Sequence, residues 1–377
     1  MRPLSGDRPS AVVIGAGVFG ASVAHALVHR SWSVQIVEQY SPGHVRSSSH
    51  DVSRLLRMSH GGEDLADSWY TRSALRSRDS WLQIGEEEGS DLFVPSGAVW
   101  FARSDNGFES RSERHLRALG IPVERLSPEG VRELFPDLRT DDLTFALYEP
   151  LAGVLRATTC VKTLVRRAVR SGAVLRTGRA QPTPAGVCVD GEELAADRVI
   201  WAGGPWLSSV FPGVVNVRSV KQSVFHFGVG PMWRTPPVPA WVDDSGLGYG
   251  FGDLDGMGMK AIYTVPDTGV LLDPDVDERE PDADYLAATR HLLVHRFPSL
   301  ASSPLVTARV CQYELSPDQH FIIAPIDDTG RAWVVGGGSG HGFKHGPAVG
   351  EHVADLLESR TQPRAEFSLK PPTTVGA

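Results

Sequence analysis

Cysteine is scarce: Cys160, Cys188 and Cys311 are far apart and odd in number within 377 residues. Such spacing excludes a disulfide framework and a cysteine metal cluster, fits a reducing cytoplasm, and leaves no metal site to expect. No block of lysine and arginine occurs, and 37 basic against 45 acidic residues leave a net charge of −8. Nucleic acid and membrane are therefore not expected as partners. Outside residues 11–28 there is no run of 18 or more apolar residues, so no spanning helix is expected. Internal repeats and low-complexity tracts are also lacking. An apolar content of 41% excludes a disordered or fibrous chain, and the length exceeds one ordinary core, which implies about two domains.

The N-terminal segment is the most informative. "AVVI" (11–14) reads as a buried strand, followed by Gly15, Gly17 and Gly20 in a GxGxxG turn and the helical run "ASVAHALVHR". The first glycine allows the tight turn, the second lets a pyrophosphate approach the backbone, and the third lets helix and strand pack closely. A second strand, "SVQIV", ends at Glu38, where a carboxylate can bind a ribose hydroxyl and would repel a 2′-phosphate. After Arg2 and Arg8 the same stretch resembles the apolar core of a secretory signal, but its glycines have this separate use. The unit indicates a dinucleotide and leaves NAD and FAD both open.

Further along, residues 157–178 read as a helix ending at Gly172 and then a strand, with Cys160 in the helix. Cys188 falls in a hairpin turning at Asp190-Gly191, and a buried strand follows at 198–202. Residues 90–149 and 216–322 are richer in short strands and Pro/Gly turns. The expected organisation is a nucleotide-binding domain made of 1–89, 150–215 and 323–377, with a sheet-built substrate domain made of 90–149 and 216–322. Near the end, Gly336, Gly337, Gly338 and Gly340 precede a helix from about 347, with His341 and Lys344 in the same loop. A helix N-terminus and a lysine suit a flat ligand that carries negative charge.

Four motifs in this order, "SSHDVSRLLR", "GYGFGDLDGMGMK", "VCQYELSPDQHFII" and "GGGSGHGFKHGPAVGE", resemble the monomeric sarcosine oxidase and N-methyltryptophan oxidase group of amine-oxidising flavoproteins. The likeness spans nearly the whole chain. It implies a Rossmann-like FAD-binding domain of the p-hydroxybenzoate-hydroxylase type and a substrate domain on a large mixed or antiparallel sheet. On its own, Cys311 reads as a small buried thiol. The resemblance implies instead a thioether to the 8α carbon of FAD, because a cysteine followed two residues later by a tyrosine, here Tyr313, carries it in that group.

The resemblance also implies roles for other residues. Lys260 matches the lysine that reaches flavin N5 through water and activates oxygen, since a cation stabilises the anion formed on reducing O2. Arg57 and Lys344 match the pair that grips a substrate carboxylate. His50, Ser53 and Arg54 match neighbours of the flavin, His341 the histidine at its ring edge, and Tyr249 and Tyr313 match residues lining the substrate cavity. Two departures stand out: Thr264 replaces a histidine four residues after the lysine, and Asp51-Val52 replaces Gly-Asp after the first histidine.

The implied function is oxidation of a secondary-amine amino acid, N-methylated or cyclic, to an imine that water hydrolyses, with O2 reduced to hydrogen peroxide. A cytoplasmic monomer with a small-molecule substrate is expected. A cyclic imino acid oxidase of a biosynthetic pathway, an NAD-linked dehydrogenase and a catalytically silent FAD-binding subunit stay open as alternatives.

Overall fold

The computed structural model describes residues 8–184, 186–244, 248–264 and 269–371. The apolar run at the N-terminus becomes the strand Ser10–Ile14, buried along its whole length. Helix Val18–His29 returns the chain to the parallel strand Ser33–Glu38, with Ala11 paired to Val34 on one side and to Arg198 on the other. The six-stranded sheet runs in the order Ile322–Pro325, Ala332–Gly336, Arg198–Trp201, Ser10–Ile14, Ser33–Glu38, Val174–Thr177, and only the Ile322–Pro325 edge is antiparallel.

Helices Val18–His29, Ala157–Arg170 and Gly346–Leu357 cover one face, packing Ala21, Ala24 and Leu27 with Leu164, Val349 and Val353. Against the other face lies a small antiparallel sheet, Ala180–Thr183, Gly186–Val189 and Glu192–Leu194, whose Val187 and Val189 pack on Val12, Val199 and Val334. Its hairpin turns at Asp190 and Gly191, both at positive φ, as its sequence requires.

The second large element is an eight-stranded sheet in the order Leu305–Leu315, Arg218–Phe227, Met259–Tyr263, Gly248–Asp253, Ala240–Asp243, Ala98–Ala102, Phe145–Glu149, Glu124–Leu126. All its pairs are antiparallel except Ala240–Asp243 with Ala98–Ala102. One face buries Phe101, Phe225, Phe227, Trp241 and Met259 against Leu292 and Leu293 of helix Ala283–Arg296. That helix lies in a segment that reads as strands and turns, because its apolar residues form no clear one-sided stripe. Cys160 is buried in its helix and Cys188 lies in the small sheet.

A fourth sheet, of the three strands Arg54–Leu56, Gly153–Leu155 and Phe93–Val94, completes the set among the described residues. Behind it runs the long helix Leu65–Glu88, capped at its start by Asp64, which accepts from the Ala66 N–H at 2.7 Å, and ended by Gly89 at φ 59°. No described helix is long and apolar enough to cross a membrane.

Candidate active site

An elongated cavity of about 500 Å³ runs from the N-terminal glycine turn to the glycine loop at 336–342. At its first end lie Gly15, Gly17, Glu38 and Tyr40. Gly15 has φ +96°, and a Cβ there would sit 2.4 Å from the Ala202 carbonyl oxygen. Gly20 is below the lining, and its Cβ would fall 1.9 Å from the Gly15 oxygen, so this glycine lets the helix seat against the turn. The cap residue Gly17 has no side chain of its own; Ser49 Oγ accepts from the Val18 N–H at 2.9 Å, and the rest of this helix start suits a phosphate. Glu38 accepts from the N–H groups of Ala16 (2.8 Å) and Tyr40 (3.0 Å), which fixes its carboxylate at the strand end.

At the other end the cavity is walled by Arg54, Arg57, Trp100, Tyr249, Tyr313, Gly338, Gly340, His341 and Lys344. Arg54 opens the short strand Arg54–Leu56 and Arg57 follows its end, with the guanidinium 4.9 Å from the centre of the Trp100 ring. Lys344 is 3% exposed and donates to the His341 carbonyl at 2.9 Å. Burial, and then the neighbouring Arg57 charge, pull the Lys344 ammonium well below its usual range; burial likewise lowers Arg57, opposed by Glu149. A buried lysine and a half-buried arginine held side by side gain by taking up an anion. Tyr313 and Tyr249 wall the cavity beside them, and burial raises both phenols.

Four expected site residues, Lys260, Cys311, His50 and Ser53, lie one layer behind the lining among the described residues. They gather around Asp51, which is fully buried in side chain and meets three cations: Lys260 at 2.6 Å, Arg54 and Arg309. Lys260 also donates to the Ser53 carbonyl at 3.0 Å. Burial and then Arg54 draw its ammonium well below its usual range, against which the Asp51 carboxylate at 2.6 Å favours the charged form. The Cys311 sulfur lies 3.8 Å from the His50 carbonyl and 3.9 Å from both Arg54 Nη2 and Asp51. Burial alone would raise this thiol, but Arg54, Arg309 and Lys260 outweigh it and hold it below its ordinary value. His50 is turned away, its Nδ1 against the Gly43 carbonyl at 2.9 Å.

The family of FAD dependent oxidoreductases matches residues 10–356. The chain belongs to that family. A monomeric sarcosine oxidase of Streptomyces avermitilis is 31% identical to this oxidoreductase over 93% of the chain and 94% of the relative. An N-methyl-L-tryptophan oxidase of Yersinia pestis is 26% identical over 93% and 95%. Among solved structures, the iminodiacetate oxidase of Chelativorans sp. BNC1 shares the fold with a TM-score of 0.80 at 21% identity, over 97% of this chain and all of that one.

The residues of this oxidoreductase fit FAD. The glycine turn with its helix start suits the pyrophosphate, Glu38 the ribose, and the glycine loop at the far end leaves room for a flat ring system. Asp51, Arg309 and Glu314 were not among the residues singled out from sequence. Glu314, three residues after Cys311, lines the cavity, accepts from Gly338 N–H at 3.1 Å, and has its second oxygen buried without a partner. The lone acid of strand Leu305–Leu315, three residues after the motif cysteine, is the signal that would have found it.

Burial pushes the Glu314 carboxyl up to about 7 from its ordinary 4.5. Between these pH values the folded protein holds a proton that the unfolded chain has released, so this group makes stability fall as pH rises from 4.5 to 7 and stay level above. The expected size is about 3 kcal/mol. Glu314→Gln, which mimics the protonated form, should match the wild type at pH 4.5 and be more stable by about that amount at pH 8. Urea unfolding of both proteins across this range checks it, and parallel curves would reject it.

Proposed function

We propose that this FAD-dependent amine and amino acid oxidase acts on the C–H bond next to the nitrogen of a secondary-amine α-amino acid, N-methylated or cyclic, with O2 as acceptor and hydrogen peroxide as product. The observation that carries the reading is the convergence of two basic side chains, half-buried Arg57 and buried Lys344, at one end of the cavity. An amino acid carboxylate satisfies both, whereas a simple amine leaves them unpaired. The relatives' names, a sarcosine oxidase and an N-methyl-L-tryptophan oxidase, support the same substrate class.

Bound FAD accepts two electrons and a hydrogen from the substrate and passes the electrons on to oxygen. The chain's own residues position and polarise. Arg57 and Lys344 hold the carboxylate, Tyr249 and Tyr313 fence the substrate, and burial of the site favours a neutral amine, so no side-chain acid or base is needed. Gly15, Gly17, Glu38, Gly338 and Gly340 would seat the cofactor, with Gly20 backing the turn, Arg54 beside the ring, His341 at its edge, and His50 and Ser53 supporting from one layer behind. Lys260 sits where negative charge builds on oxygen.

In the same reading, segments 1–89, 150–215 and 323–377 form the FAD-binding domain and 90–149 with 216–322 the substrate domain, which the separation of the two large sheets supports. The enzyme works as a cytoplasmic monomer. Thr264 lines the cavity. A small side chain there favours a second reading, a cyclic imino acid oxidase of a biosynthetic pathway.

Cys311 carries the flavin as a thioether. The lowered thiol and the ring of cations around it favour the thiolate that such a bond requires. Denaturing the purified protein should leave the yellow chromophore on the polypeptide, with the flavin mass on the peptide containing Cys311, and peroxide should appear with N-methyl or cyclic amino acids. A colourless polypeptide would remove the covalent assignment. Turnover of simple amines in preference would remove the substrate class.

A further inference from the structure

Three histidines, His60, His341 and His345, come together behind the substrate end of the cavity. One ring nitrogen of each lies within 4.8 Å of those of the other two. Their ring centres form a nearly equilateral triangle with sides of 5.6, 5.6 and 5.9 Å. Three imidazoles bound to one ion at about 2.0–2.1 Å would have centres about 5–5.5 Å apart, so the triangle needs little contraction.

The hydrogen bonds around the triangle decide which nitrogens face it. His341 Nε2–H donates to the Gln319 carbonyl at 3.1 Å, which leaves Nδ1 unprotonated. Ser73 Oγ–H donates to the Tyr70 carbonyl at 2.9 Å, so the same oxygen accepts from His345 Nδ1–H at 2.7 Å and leaves Nε2 unprotonated. His341 Nδ1, His345 Nε2 and His60 Nε2 are buried with no hydrogen-bond partner. Stacking fixes two of the rings, His60 on Tyr70 (5.2 Å) and His341 on Phe321 (5.1 Å). Buried nitrogens left unpaired are unfavourable unless something binds them, and outer hydrogen bonds that orient imidazoles are the usual surroundings of a bound metal.

We propose that His60, His341 and His345 form a site for one divalent transition-metal ion of the zinc class. Neutral imidazole selects zinc, cobalt, nickel or copper over magnesium or calcium. His341 and His345 are four residues apart, a spacing common among zinc ligands, while His60 comes from the distant segment that follows Arg57. His60 is reached from outside through a depression whose wall carries Glu63, Asp64 and Asp67 against Arg57 and Arg111, with Arg111 paired to Glu63. Arg57 and Lys344 lie nearby and oppose the ion, so three unpaired imidazole nitrogens must outweigh them. The ion ties the segment carrying Arg57 to the loop carrying Lys344, and so fixes the spacing of the two cations.

The test uses the tag-free, FAD-loaded enzyme, stripped with chelator and titrated with Zn²⁺ in a calorimeter. One ion per chain is expected. His60→Phe should weaken binding at least 100-fold, and Ser73→Ala, which keeps all three imidazoles but frees the orientation of one, about 10–100-fold. Flavin absorbance and circular dichroism check that each variant is folded; if His60→Phe is not, Ser73→Ala carries the comparison. Crystals soaked in Zn²⁺ should show an anomalous peak at the centre of the triangle. No saturable binding, affinity unchanged in the folded variants, or a peak elsewhere would each overturn the site.

Discussion

Arg57→Ala should lower kcat/KM for the amino acid substrate by roughly 30-fold to several thousand-fold, which corresponds to about 2–5 kcal/mol for removing one partner of a buried charge pair. The loss should appear mainly in KM, since the carboxylate is held equally before and during the reaction. An amine of the same shape without the carboxylate should lose less than about threefold, because it never made the contact. The guanidinium is held by the Trp100 face and by the Ser59 carbonyl, so its direction is set before substrate arrives. Lys344 acts on the same carboxylate, and the double variant Arg57→Ala/Lys344→Ala should therefore lose less than the sum of the single losses. Equal losses for amino acid and amine would show that Arg57 shapes the cavity and does not bind the carboxylate.

The second large effect concerns oxygen. Lys260→Met should leave anaerobic reduction of the flavin by substrate within a few-fold and slow its reoxidation by about 10²–10³-fold, the range for removing one pre-aligned charge from a developing anion. The neighbouring Asp51 carboxylate might be thought to cancel Lys260. It does not, because Arg54 and Arg309 share the same carboxylate, and three cations against one anion leave the cluster positive. The ammonium is also fixed, by Asp51 at 2.6 Å and the Ser53 carbonyl at 3.0 Å, so little reorganisation is needed when charge appears. Rapid-mixing measurements of the two half-reactions separate the roles. Equal slowing of both would mean that Lys260 only supports the structure.

What the sequence made legible was local. The strand, glycine turn, helix, strand and Glu38 of the nucleotide site lie within 29 residues of one another, from Ser10 to Glu38, and each step has its own steric or electrostatic signature. The hairpin at Asp190-Gly191 was legible for the same reason, since its turn demands residues that tolerate positive φ. Lys260, Arg57, Lys344 and Cys311 were found through motifs, and the structure gathers them at one end of the cavity or just behind it.

Asp51 is different. It was noticed only as a departure, and its meaning depends on Lys260, 209 residues away, and on Arg309 beyond it. Nothing in the local sequence marks an acid that folding will bury among three cations. The same holds for His60, whose neighbours in the chain give no hint of His341 and His345. Helix Ala283–Arg296 escaped because packing against Phe225 and Trp241, more than its own periodicity, holds it.

The distance between Asp51 and its partners also bears on how the chain is made. The carboxylate leaves the ribosome long before Lys260 and Arg309 do, and strand Ser10–Ile14 waits for Arg198–Trp201 to complete its sheet. A nascent piece ending before residue 260 would have to bury that anion with Arg54 as its only cation, which disfavours the compact state. Completion of the Asp51 cluster therefore waits until residue 309 has been made.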